Sequence, residues 1–232
     1  MKHRQRPATQ VDPHAAPTQP VRVWDAPTRL FHWAIVILLA ASWLTQELNA
    51  MRLHFLSGYS LAALLLFRAA WGVLGSETAR FAAFVKSPLA GLRHLRRIAR
   101  REPDAQIGHN AAGGWMVLAM LAALAMQVAT GLCANDGGVV EGPLAKYVGG
   151  RLSDTLSAIH GWVFYVLLGL VALHLLSIAA YAALKGQDLL RPMITGHKRL
   201  PATARPPRMA GPWRAFAIAA CAIAAVAWIA RL

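Results

Sequence analysis

The sequence predicts an all-α integral membrane protein, a bundle of four transmembrane helices followed by a fifth, C-terminal transmembrane helix. Three observations predict this class. Apolar residues make up 56% of the 232 residues; apolar runs long enough to cross a bilayer recur along the chain; and basic residues gather in alternate segments between these runs. The formal charge of +14 is therefore assigned to cytoplasmic loops beside an anionic membrane surface, which disfavours nucleic-acid binding.

The chain begins with a polar, proline-rich segment, residues 1–22, which predicts a disordered cytoplasmic tail. The first span is expected at about residues 30–48, with Asp25 as its N-cap and Pro27 in its first turn. A short polar link leads to a second span at about residues 53–74. Because the link is short, the two helices should be antiparallel neighbours.

The most basic link, residues 76–108, has leucines at helical spacing between arginines. It fits either an interfacial helix on an anionic leaflet or a solvated basic loop. The segments that follow are a third span at about 113–133, a near-neutral outer link, a fourth span at 157–184, a basic cytoplasmic loop at 185–212 and the fifth span at 213–230. Residues 23–184 thus form the four-helix domain. The distribution of basic residues predicts a cytoplasmic N-terminus and an external C-terminus, which would be periplasmic in the inner membrane of a Gram-negative cell.

Four histidines lie in these spans at matching depths. His160 and His174 share the fourth helix, and fourteen residues of α-helix place them within about 40° of one face and about 21 Å apart. An imidazole in hydrocarbon needs a partner. His32 begins the first helix on the inner side, and His54 begins the second on the outer side. The depths therefore pair His32 with His174, and His54 with His160.

Two imidazoles facing each other across a bundle are the axial ligands that a six-coordinate haem iron needs. Two b-type haems are therefore predicted, one towards each membrane surface. Cys133 and Cys221 lie in no covalent haem-attachment spacing. Zinc or copper would need three or four ligands at one depth. For any single histidine, a simple hydrogen bond to a backbone carbonyl is the alternative.

Two arginines are candidates for binding haem propionates. Arg68, fourteen residues after His54, should reach the depth of the inner haem, although its side chain could instead extend to the headgroups. Arg29, one turn before His32, is either a second propionate partner or a positive-inside anchor. Most of the other histidines should be solvated, although His109 adjoins the third helix on the inner side. These histidines are His3, His14, His94, His109 and His197.

A series of short motifs carries a family resemblance. The motifs are VWDAPTRLFHW, LHFLSGY, FRAAWGVLG, GHNAAGGWMVL, and the IHG and LH positions of the fourth helix. Together they resemble the bacterial cytochrome b561 family, which includes the cytochrome b subunits of nickel–iron hydrogenases. The resemblance covers about Val21 to Ala183 and implies two bis-histidine haems b held by the same four histidines. It also implies electron transfer between quinone and a partner at the outer face. The fifth helix and the HKRLP segment depart from the simplest members.

The leading functional hypothesis is an electron-transfer subunit of an oxidoreductase, which relays electrons between the quinone pool and a periplasmic cytochrome c, dehydrogenase or hydrogenase. A second hypothesis is a self-contained enzyme that oxidises superoxide and reduces quinone. That enzyme would need positive charge around the outer haem to steer the superoxide anion towards it. The outer link carries Asp136, Glu141 and Asp154 and does not supply such charge. A third is a haem-free membrane anchor of a larger redox complex.

Overall fold

The computed structural model describes residues 17–96, 106–138 and 140–232. The first sixteen residues of the predicted tail and residues 97–105 of the basic link lie outside the described residues. The elements in chain order are β1 (Thr18–Arg22), α1 (Ala26–Glu47), α2 (Met51–Leu74), a 3₁₀ turn (Glu77–Ala79), α3 (Phe81–Phe84), α4 (Pro88–Arg96), α5 (Ala111–Leu132), α6 (Ala145–Val148), α7 (Gly150–Lys185), α8 (Leu190–Thr195), β2 (His197–Pro201) and α9 (Pro212–Ile229).

Five of these helices, α1, α2, α5, α7 and α9, are long and apolar enough to cross a membrane, as the sequence predicted. The largest difference in bounds is at α7, which begins at Gly150 rather than at residue 157. Its 36 residues make a helix about 54 Å long, against a hydrocarbon core of about 30 Å. Hydropathy marks the part of a helix that lies in lipid, whereas the polar residues before position 157 can still adopt helical structure.

The start of α1 is fixed by Asp25, as the sequence predicted. Its Oδ1 atom accepts a hydrogen bond of 2.7 Å from the backbone N–H of Thr28, and Pro27 occupies the first turn. The Oδ2 atom accepts a second bond, of 3.1 Å, from the indole Nε1–H of Trp71. Asp25 therefore caps α1 and also joins it to the far end of α2.

The four longer helices surround a common interior. α1 packs along α2, α2 also contacts α5, and α5 packs along α7. The fifth spanning helix, α9, packs against the outside of α2, where Ala222 joins a buried cluster with Phe31, Phe67 and Trp71. Many large apolar side chains on the outer surfaces of the spans are exposed, which suits contact with lipid.

Strands β1 and β2 form a short antiparallel ribbon, which the sequence did not predict in the tail or in the basic loop. Residues 18–22 were expected to be disordered, and residues 197–201 to belong to a basic loop, yet the two segments pair with Val21 opposite Lys198. Val21 and Leu200 are 3% and 2% exposed, and they pack in one cluster with Val23 and Trp24. The predicted basic loop also contains α8. Apolar burial between segments far apart in sequence explains the ribbon.

Candidate functional site

A cavity of about 1680 Å³ runs between α1, α2, α5 and α7. All four histidines singled out from the sequence line it, and most of its other lining side chains are apolar. Pockets for small ligands are typically roughly 300–1,000 Å³. The cavity therefore has room for more than one small molecule, or for large flat ones.

The first imidazole pair is formed by His54 of α2 and His160 of α7, whose ring centres lie 6.2 Å apart. The Nδ1 atom of His54 lies 2.9 Å from the carbonyl oxygen of Ser42, and Nδ1 of His160 lies 2.9 Å from that of Gln127. A carbonyl only accepts, so each Nδ1 must carry a hydrogen, which in a neutral imidazole leaves Nε2 as the acceptor. In agreement, Nε2 of His160 accepts from the Gln127 side-chain amide at 3.2 Å. Both imidazoles are thus in the tautomer whose Nε2 atom can bind a metal.

The second pair is formed by His32 of α1 and His174 of α7, with ring centres 6.4 Å apart. The His32 ring also lies edge-on to Trp33 at 5.0 Å. Its Nδ1 atom is buried and has no hydrogen-bond partner among the described residues. The His32–His174 pair therefore differs from the His54–His160 pair, in which backbone carbonyls fix both rings.

The spacing of both pairs fits a metal ion held between two imidazoles. Metal–nitrogen distances of roughly 2 Å, with each nitrogen about 1 Å from its ring centre, would place the ring centres about 6 Å apart. Among the described residues, no group of three or more His, Cys, Asp or Glu side chains could hold a metal ion. Sites with two protein ligands suit haem, whose macrocycle supplies the other donors. The cavity wall also has open space beside Gly58 and Gly161, because a Cβ atom added to either would meet nothing within 4 Å.

The two arginines proposed as propionate partners lie elsewhere. Arg68 is 3% exposed and does not line the cavity; its guanidinium carbon lies 4.7 Å from the centre of the Phe81 ring. Arg29 donates from Nη1 to the backbone carbonyl of Ile194 and is also absent from the cavity wall. The structure therefore brings the four histidines together, whereas neither arginine lines the wall. Nε of Arg29 and Nη1 of Arg68 are buried without a hydrogen-bond partner among the described residues. Their binding of a propionate stays a prediction.

His109 is a wall residue that the sequence singled out only weakly. It precedes α5 and packs against the rings of Trp24 and Phe84, with centroid distances of 4.7 and 4.9 Å. Burial, assisted by the nearby positive charge of Arg68, lowers the pKa of His109 to about 3, so the ring is neutral at physiological pH. Its Nδ1 atom is buried without a partner in the described part of the chain. In the sequence, the GHN motif was the signal that drew attention to His109. Its stacking partners could not be foreseen, because they come from two distant segments.

The two ends of the cavity carry opposite charges. Glu47 and Asp136, close in sequence to the ends of α1 and α5, line the end next to the His54–His160 pair. Lys198 of β2 lines the other end, and it is the one Lys or Arg on the described wall. The cavity is therefore electrostatically asymmetric along its length.

Comparison with known proteins gives one match. The family model described as prokaryotic cytochrome b561 matches residues 23–196, which contain all four cavity histidines. No curated protein and no solved structure matched the chain. Members of this family are membrane cytochromes that bind b-type haem and take part in electron transfer. The five spanning helices and the paired imidazoles of the cavity suit such a protein. A match across most of the sequence shows that the chain belongs to the prokaryotic cytochrome b561 family.

Proposed function

We propose that this protein is a two-haem relay that carries electrons between the membrane quinone pool and a redox partner at the periplasmic face. The observation that carries the proposal is the division of four imidazoles into two pairs, 6.4 and 6.2 Å across. Their two members on α7 are fourteen residues apart, or about 21 Å along the helix. One redox centre near each surface would divide the crossing of a roughly 30 Å hydrocarbon core into shorter steps.

The four histidines would hold the two haems through their Nε2 atoms. Each haem, when bound, supplies an iron that takes up and releases one electron. The backbone carbonyls of Ser42 and Gln127 orient His54 and His160 and make these imidazoles stronger donors. The apolar side chains of the wall would limit the access of water to both positions. No side chain is assigned a catalytic role, because the function needs bound electron carriers rather than an acid or base.

The charge distribution supports an orientation in the bacterial inner membrane. The segment after α7 is strongly basic. The segment from the end of α5 through the first turns of α7 instead balances Asp136, Glu141 and Asp154 against Lys146 and Arg151. The positive-inside rule then places the N-terminus and the His32–His174 pair towards the cytoplasm. The His54–His160 pair and the C-terminus would face the periplasm.

The alternatives fit the cavity less well. A superoxide-oxidising enzyme would draw an anion towards the outer site, where Glu47 and Asp136 line the wall and would repel it. A haem-free anchor would leave four imidazoles lining an apolar cavity with no task, at a cost in desolvation. The relay therefore accounts for more of the site than either alternative.

The proposal is tested with purified protein in liposomes. The preparation should contain two b-type haems per chain by the pyridine haemochrome assay. A reduced quinone analogue in the bilayer should reduce both haems, and a c-type cytochrome added outside should reoxidise them. Protein that lacks haem, or whose haems exchange electrons with neither quinol nor quinone, would refute the relay.

A further inference from the structure

Besides the histidines, the cavity has a cationic residue that the family match does not reach. We propose that Lys198 binds a propionate carboxylate of the haem held by His32 and His174. The inference rests on the two-haem function proposed above and assigns a further cofactor-binding residue to it. Lys198 lies just beyond the matched segment, residues 23–196, so it belongs to the ribbon rather than to the matched part of the bundle.

The side chain of Lys198 is directed towards the protein by the alternation of the strand. Successive residues of a strand point to opposite faces. Along β2, His197 and Arg199 are exposed, whereas Leu200 is 2% exposed and Lys198 is partly buried. Lys198 therefore shares a face with the residue that anchors the ribbon in its apolar cluster, and it reaches the cavity wall.

The ribbon is held at the His32 end of the cavity by backbone contacts. The carbonyl oxygen of Gly196 accepts hydrogen bonds from the backbone N–H groups of Val23 and Trp24, at 2.8 and 3.1 Å. The indole of Trp33, the neighbour of His32, donates to the carbonyl of Met193 at 3.3 Å. A Cβ atom at position 196, where φ is 84°, would approach the carbonyl oxygen of Trp24 to 2.9 Å. This close approach fixes where β2 begins and therefore where Lys198 lies.

The charges of the wall favour Lys198 as the carboxylate partner. A carboxylate near an apolar interior is stabilised by a cation that donates a hydrogen bond. Arg29 and Arg68, the other candidates, do not line the cavity; Arg29 donates to a backbone carbonyl, and Arg68 lies beside an aromatic ring. The Nζ atom of Lys198 donates to the carbonyl oxygen of Gln106 at 3.0 Å. An ammonium group has three N–H donors, so it can bond to more than one acceptor.

The surrounding wall is polar at this end. Asn110 and Tyr181 line the cavity as well, and the amide of Asn110 donates to the phenolic oxygen of Tyr181. The backbone at Gln106 and the Asn110–Tyr181 pair thus give the His32 end hydrogen-bonding groups that the apolar middle of the cavity does not offer. A haem bound by His32 and His174 would have its polar edge accommodated here.

The test compares full-length Lys198→Met with Lys198→Arg and with Arg199→Met. The control removes the same charge from the adjacent residue of β2, whose side chain is exposed on the opposite face. Each protein is assayed for haem content, for both midpoint potentials by spectroelectrochemical titration, and for the propionate bending bands in resonance Raman spectra. Reduction adds negative charge at the iron, so removing a nearby cation should lower the midpoint potential.

In Lys198→Met we expect a lower potential for one haem only, with a shifted propionate band. Lys198→Arg should restore both values, and Arg199→Met should leave both unchanged. Loss of one haem in Lys198→Met that Lys198→Arg restores would also support the proposal. Two haems with unaltered potentials and Raman bands would overturn it, as would an equal effect of Arg199→Met. If Lys198→Met does not accumulate, Lys198→Gln is measured against the same outcomes. An unmodified protein without haem would instead overturn the relay function itself.

Discussion

Replacing His160 with alanine should reduce the haem content from two per chain to one. His160 faces His54 across 6.2 Å, and its ring is fixed by the carbonyl of Gln127. The imidazole of His174 lies about 21 Å farther along α7. Substitutions separated by more than roughly 7–10 Å with no shared partner usually act independently. The His32–His174 site should therefore keep its haem.

The measurements are the pyridine haemochrome ratio and a redox titration, in which two one-electron waves should become one. His197→Ala is the matched control because it removes an exposed imidazole from β2, and it should retain both haems. His32→Ala should remove the other wave. A His160→Ala protein that retains two haems, or that loses both while its helical circular dichroism is unchanged, would show that the pairing is wrong.

Two further substitutions test how the helices support the site. Gly131→Ala on α5 would place a Cβ atom 2.7 Å from Cε1 of His160; it should displace that ring and alter the spectrum of one haem. Gly169→Ala, whose Cβ atom would meet nothing within 4 Å, should leave the spectrum unchanged, and equal spectra for the two variants would contradict the close packing. Asp25→Ala removes the cap of α1 and the partner of Trp71; it should destabilise the protein by about 1–3 kcal/mol, measured as earlier thermal unfolding. An unchanged melting temperature would show that Asp25 is dispensable.

The spans and the grouping of the histidines could be anticipated because each depends on local regularities. Hydropathy locates a helix that must satisfy its own backbone in lipid, and the rise per residue then fixes the relative depth of His160 and His174. The positive-inside rule supplies the direction of each crossing. From these rules His32 falls beside His174 and His54 beside His160, and the ring distances of 6.4 and 6.2 Å agree with that grouping. Their role as haem ligands stays a prediction.

The ribbon could not be anticipated, because nothing local in either strand indicates its partner. Thr18–Arg22 and His197–Pro201 are five residues each, both contain proline, and they are separated by most of the chain. Their pairing depends on burial of Val21 and Leu200 in a shared cluster. The same holds for His109, whose neighbours Trp24 and Phe84 are supplied by tertiary packing. Depth along a helix is therefore readable from sequence, whereas contacts between distant loops are not.

The position of Arg68 shows why depth alone does not assign a function. The depth argument was sound for an imidazole pair, but it does not say which way a side chain on α2 points. Arg68 is buried against Phe81, and its Nη1 atom has no hydrogen-bond partner among the described residues. A buried guanidinium nitrogen without a partner is costly, so this atom suits an anionic partner, and the binding of a propionate by Arg68 stays a prediction. A cation on the cavity wall itself comes from the end of the bundle, where β2 brings Lys198. The bundle would thus supply the imidazoles, while the ribbon would supply the charge beside one of the two sites. A substitution in β2 could then change that charge without moving a histidine.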